Sequence, residues 1–117
     1  MTEQRDVRAG MLSLAVAEEA ERSVIRLSGE LDLANADSLE AELDKALGDD
    51  HREVVVDLER LSFIDSTGLA LLIRAVDRDG DRGRLSCVPS RGLAVQRVLH
   101  VTGLDQRLPF LGAASPD

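Results

Sequence analysis

Hydrophobic positions first recur with a period of two. Leu12, Leu14 and Val16 alternate with Ser13, Ala15 and Ala17, which predicts a half-buried strand. Polar residues 18–22 turn the chain, and residues 24–28 read as a second strand with Ile25 and Leu27 on one face. The period then lengthens. Ala36, Leu39, Leu43 and Leu47 fall on one helical stripe, with Asn35 placed to cap it, Asp37 to complement its dipole and Gly48 to end it. Val54, Val55, Val56 and Leu58 form a short, almost wholly apolar run, as in a strand buried on both faces.

After residues 61–65 a second helix starts at Ser66. Leu69, Leu72, Ile73 and Val76 recur at helical spacing and are expected to face the core, leaving Leu71, Arg74 and Ala75 on another face. This helix ends in Asp79-Gly80-Asp81. Residues 85–88 read as a strand broken by Pro89-Ser90, and a third helix spans about 91–102, with Val95, Val98 and Leu99 inward. Residues 107–111 read as a last edge strand interrupted by Pro109. Residues 1–10 and 113–117 read as frayed termini around one domain at 11–112. Strands alternating with helices imply an α/β fold, a mixed, mainly parallel sheet of about four to five strands packed with about three to four helices.

Charge changes the picture more than composition does. The net charge of −8 is uneven: up to Asp65 there are 17 acidic and 7 basic residues, and from Ser66 onward 5 acidic and 7 basic. An acidic surface disfavours nucleic-acid backbones, so no direct nucleic-acid binding is expected, and the acidic half is suited to a basic protein surface. No apolar run approaches the roughly 18 residues of a membrane span, and the charged start is unlike a signal peptide. A cytoplasmic protein that does not engage membranes is expected. Cys87 is the only cysteine, which excludes an internal disulfide, and its setting predicts a buried thiol.

Catalytic patterns are missing. His51 lies in a polar turn and His100 near the end of the third helix, neither spaced for zinc. There is no nucleophile elbow, phosphate loop or dinucleotide fingerprint, so no cofactor or metal is expected. Asp57 ends a central strand like a phospho-accepting aspartate, but the acidic pair that would hold magnesium is absent. Arg78 to Arg84 reads as a solvated turn.

Two strand-to-helix junctions carry the remaining signal: Ser28-Gly29-Glu30-Leu31-Asp32, and Leu61-Ser62-Phe63-Ile64-Asp65-Ser66-Thr67-Gly68-Leu69. In a parallel sheet both loops emerge at one edge, where open α/β sheets carry their sites. Taken singly, Ser66 is an ordinary helix cap and Asp32 and Asp65 ordinary turn acids. In combination, with Val-Val-Val-Asp-Leu upstream and Val101-Thr102-Gly103-Leu104 downstream, the segments resemble STAS domains, and more narrowly bacterial anti-sigma factor antagonists.

That resemblance implies the STAS fold and a non-enzymatic switch. Such antagonists bind an anti-sigma factor and so release a sigma factor. The anti-sigma factor often has serine kinase activity and phosphorylates the antagonist, and a metal-dependent serine phosphatase restores it. The acceptor maps onto Ser66, with Asp32 and Asp65 beside it and Thr67 as the neighbouring hydroxyl. Asp32, Asp65, Ser66 and Thr67 are expected to touch the partner, together with Leu71 and Arg74 from the outer face of the second helix. The alternative is a STAS scaffold or sensor in a signalling assembly, or a small-ligand binder, without a phospho-switch.

Overall fold

The computed structural model describes residues 3–48 and 52–111, so the turn holding His51 lies outside the described residues. The alternating segments become strands β2 (Leu12–Glu18) and β3 (Arg22–Leu31), and the valine run becomes β4 (Glu53–Ile64), with β5 at Leu85–Val88. A further strand, β1 (Glu3–Ala9), precedes them, and the five lie side by side in chain order. β1, β2 and β3 form an antiparallel meander, and β3, β4 and β5 run parallel. Helices α1 (Ala36–Gly48) and α2 (Ser66–Asp79) cross between the parallel strands, and α3 (Leu93–Val101) follows β5.

β1 overturns the expectation of a frayed start. Its pairing runs unbroken from Glu3 opposite Glu18 to Ala9 opposite Leu12. A strand whose side chains are mostly charged shows no apolar period, yet its backbone satisfies the β2 edge. On the helix-bearing face, Arg5 reaches the buried carboxylate of Glu42 in α1 and lies 3.7 Å from Glu18. With β1 in place, half the strand pairings are antiparallel, so the sheet is evenly mixed and not mainly parallel.

One sheet face carries Leu12, Leu14, Val16, Ile25, Leu27, Val54, Val56 and Leu58, and packs against α1, α2 and α3 in a single core. On the other face Ala17, Val24 and Val55 form a small patch beside Val88. Cys87 is buried in the main core, and burial pushes its thiol up to about 12.

α2 is rotated from the expected stripe. Its buried residues are Gly68, Leu71, Leu72, Ala75 and Asp79, whereas Leu69, Ile73 and Val76 are half-buried at its flanks. The small residues decide this. A Cβ at Gly68 would come within 2.8 Å of side-chain carbons of Leu31 and Ile64, so the helix sits directly on the sheet at that point. Leu71 is therefore a core residue, 3% exposed, and not the partner contact that the apolar spacing suggested.

Three smaller expectations also change. Asp79, expected in a solvated turn, is buried and accepts the Leu85 amide at 3.0 Å, while Arg84 donates to the Leu47 and Arg52 carbonyls. The last edge strand reduces to a bridge between Cys87 and Phe110, preceded by a 3-10 turn at Leu104–Gln106. Pro109 supplies only its carbonyl there, to the Cys87 amide at 2.9 Å.

Candidate functional site

The two singled-out junctions do meet at one end of the sheet. Leu31 and Ile64 are paired at the ends of β3 and β4, so the loops that follow leave side by side. Asp65 ties them together. Its backbone amide donates to the Leu31 carbonyl at 3.1 Å. One carboxylate oxygen accepts the Leu33 amide at 3.1 Å, and the other accepts the Gly68 amide at 3.0 Å. The second bond makes Asp65 the N-cap of α2, in the extended conformation that a cap requires.

Ser66 is thus the first residue of the helix and not its cap. It is exposed, and among the described residues nothing hydrogen-bonds its hydroxyl. The unpaired amides of a helix's first turn and the positive end of its dipole lie close to such a side chain. Thr67, half-buried, is the less accessible of the two neighbouring hydroxyls.

Asp32 shapes the adjoining loop from within. Its side chain accepts the Ala34 amide at 3.0 Å, and its carbonyl accepts the Ala36 amide at 2.9 Å. Asn35 does not cap α1 with its side chain as expected. It turns back, accepting the Asp32 amide and donating to the Glu30 carbonyl, both at 2.9 Å. A buried Asn held by the loop in this way fixes Leu33 and Ala34 at the tip. Gly29, at φ +94°, allows the start of β2 to approach: a Cβ there would lie 2.1 Å from the Met11 carbonyl oxygen.

The structure therefore brings together Asp32, Asp65, Ser66 and Thr67. It leaves out Leu71, in the core, and Arg74, two turns further along α2. Arg74 is exposed but directed toward α1, where it pairs with Glu40 at 3.2 Å.

The comparisons with known proteins settle the family. Residues 14–112 match the family model described as "Mlab, STAS domain". RsfB of Mycobacterium tuberculosis, an anti-sigma-F factor antagonist, is 30% identical over 95 residues, covering 81% of this chain and 77% of the relative. This chain belongs to the STAS-domain anti-sigma factor antagonist family. The crystal structure of an anti-sigma factor antagonist from Mycobacterium paratuberculosis superimposes on this STAS domain with a TM-score of 0.76, at 30% identity over 87% of this chain and 86% of the other. SpoIIAA, an anti-sigma factor antagonist of Bacillus, matches at 25% identity in two forms. The unphosphorylated form has a TM-score of 0.66 over 89% of each chain, and the phosphorylated form 0.59 over 89% and 92%.

The site also holds residues that the sequence pattern did not single out. Leu33 in the turn after β3 and Phe63 near the end of β4 are exposed, and so is Leu93 at the start of α3. The available signal was position: large apolar residues in the turn after β3, at the end of β4 and at the start of α3, where strands hand over to helices.

Proposed function

We propose that this chain is an anti-sigma factor antagonist whose binding is switched off by phosphorylation of Ser66. The observation that carries this reading is the exposed, uncommitted Ser66 hydroxyl at the start of α2, directly after the Asp65 cap. Family membership and the existence of SpoIIAA in both phosphorylated and unphosphorylated forms support it. In this reading the protein acts in the cytoplasm and catalyses nothing itself. The partner anti-sigma factor is the serine kinase. It moves the γ-phosphoryl of ATP onto Ser66 Oγ, forming one O–P bond as the β–γ anhydride breaks and the hydroxyl proton leaves. A serine phosphatase returns the hydroxyl by hydrolysis, in which water attacks phosphorus, the Ser66 O–P bond breaks and inorganic phosphate leaves.

The physical logic is a contrast between two environments. In the free protein a phosphate dianion at the start of α2 is compatible with the fold, because it meets free amides and a favourable dipole. In the complex the same group would be buried against a surface shaped for a neutral hydroxyl. An unmatched buried charge costs roughly 2–5 kcal/mol, about a thirtyfold to several-thousandfold loss of affinity.

Incubation with ATP and the anti-sigma factor of the same organism should add one phosphate to wild type and none to Ser66→Ala. Ser66→Ala should keep binding after kinase treatment. Ser66→Asp should bind at least tenfold more weakly while its circular dichroism stays that of wild type. Phosphate mapped to Thr67 alone, or Ser66→Asp binding as tightly as wild type, would overturn the switch. A second reading is a STAS module that scaffolds an assembly without modification, since the match over residues 14–112 is to a STAS-domain model. Under it, Ser66→Ala and Ser66→Asp bind alike.

A further inference from the structure

The sheet face opposite the helices carries a transverse row of polar residues that neither the core nor Ser66 accounts for. In register, Arg8 of β1 lies opposite Ser13 of β2, Ser13 opposite Ser28 of β3, and Ser28 opposite Arg60 of β4. Paired residues point to the same face, so two arginines flank two serines across four strands. The first slip in the β3–β4 pairing sets this row. Arg26 faces Asp57, and unbroken pairing would put Glu59 opposite Ser28; the added residue puts Arg60 there instead. Asp57 fixes the slip by accepting the Glu59 amide at 2.9 Å, and Glu59 is engaged by Arg91, 3.8 Å away. Two hollows of about 350 and 330 Å³ lie along the row and meet at Ala15 and Ser28, one lined by Arg60 and the other by Arg8 and Ser13.

We infer that this row binds a compact tetrahedral oxyanion, either inorganic phosphate or the phosphate group of a small molecule. Its donors are free to do so. Among the described residues Arg60 is exposed without an ion pair, the Ser28 hydroxyl has no hydrogen bond, and Arg8 is tied only to the Ser13 hydroxyl, at 3.4 Å. The geometry suits one anion. The two arginines stand three strand spacings apart, about 14 Å, and each side chain is long enough to reach about midway, over the two hydroxyls. A tetrahedral dianion has oxygens for two guanidinium forks and two hydroxyls, whereas a carboxylate is filled by a single fork. The acids on this face are engaged or displaced. Asp57 lies 3.6 Å from Arg26, Glu59 is held by Arg91, and Asp6 stands one row along, opposite Ala15. The site is separate from Ser66 and does not depend on how that residue is used.

The test titrates the full chain with inorganic phosphate, glycerol 3-phosphate and acetate at constant ionic strength, following backbone and arginine side-chain NMR signals. Wild type should saturate with either phosphate probe below about 10 mM, with shifts concentrated at Arg8, Ser13, Ser28 and Arg60. Acetate should bind at least tenfold more weakly. Arg8→Gln and Arg60→Gln should each weaken phosphate binding at least tenfold, and Ser28→Ala about threefold, with circular dichroism unchanged. Arg97→Gln, which removes an exposed arginine from α3, should bind as wild type does. Glu59→Gln should change affinity less than threefold, because the slip holds Glu59 out of the row. A gain there as large as the loss in Arg60→Gln would place Glu59 in the row and overturn the register on which the site rests. Tighter binding of glycerol 3-phosphate than of phosphate would assign the site to a phosphate-bearing small molecule, and equal binding to the free ion; either result supports it. Shifts that never saturate, or that spread over all exposed arginines and persist in Arg60→Gln, would overturn it.

Discussion

The two ends of α2 are built on opposite principles. At its start the helix is anchored by amides that the Asp65 carboxylate accepts and by the bare Cα of Gly68, and Ser66 stands exposed outside them. Further along, Leu71 and Ala75 are buried, and ion pairs from Arg74 to Glu40 and from Arg78 to Asp44 bridge to α1. The first arrangement fixes position while leaving the outer surface free to be modified or covered. The second supplies stability and offers a partner little that is not already engaged. A switch at the first end can therefore change what binds without disturbing what holds the fold.

Substitutions at three places sharpen that contrast. Leu71→Ala removes a fully packed side chain at the stable end and should cost about 2–5 kcal/mol in chemical denaturation. Its folded fraction should still accept phosphate at Ser66. A loss below about 1 kcal/mol would show that the stable end does not depend on this contact.

Asp65→Ala acts at the other end and should cost about 1–2 kcal/mol, the range of a lost helix cap. Because Asp65 also holds Leu33, amide exchange should speed up at both Leu33 and Gly68, although they lie on different elements. Asp65→Asn, which keeps an acceptor oxygen, should lose less. Faster exchange at Gly68 alone would mean that the two loops are not tied through this carboxylate.

The smallest effect is expected for the ion pairs. Arg74 is exposed and Glu40 half-exposed, so a double-mutant cycle with Arg74→Ala and Glu40→Ala should give a coupling below about 1 kcal/mol, shrinking further in salt. A coupling above about 2 kcal/mol would move the ion pairs from surface decoration to a principal support of the helix pair.

Most of the framework was legible because two periods, near 2 and near 3.6, dominate the segments that become β2, β3, α1 and α3. The site was legible through punctuation: Asp32, Asp65 and Ser66 sit where strands hand over to helices. β1 was not legible, since a strand held by backbone pairing and the Arg5–Glu42 contact needs no apolar pattern. The rotation of α2 was missed for a different reason. Leu69, Leu71, Leu72, Ile73 and Val76 permit more than one inward face, and the choice rests on Gly68 and Ala75, which a hydrophobic count scarcely weighs. Asn35 and Asp65 exchanged expected roles because both can cap, and only the fold decides which loop amides come within reach.

The pairing of β3 with β4 slips twice. Arg26 and Ser28 face Asp57 and Arg60, then Gly29 and Glu30 face Leu61 and Phe63, so β4 gains one residue at each step. Its inward positions accordingly run Val54, Val56, Leu58, Leu61 and Ile64, spaced by two and then by three. Each extra residue is absorbed where it occurs, because Leu61 after the first slip and Ile64 after the second still face the core, opposite Gly29 and Leu31. The stretch from Glu59 to Phe63 can thus take up a one-residue change in length by making or removing a slip, with Ile64 kept opposite Leu31 and Asp65 and Ser66 kept at their place on the sheet edge.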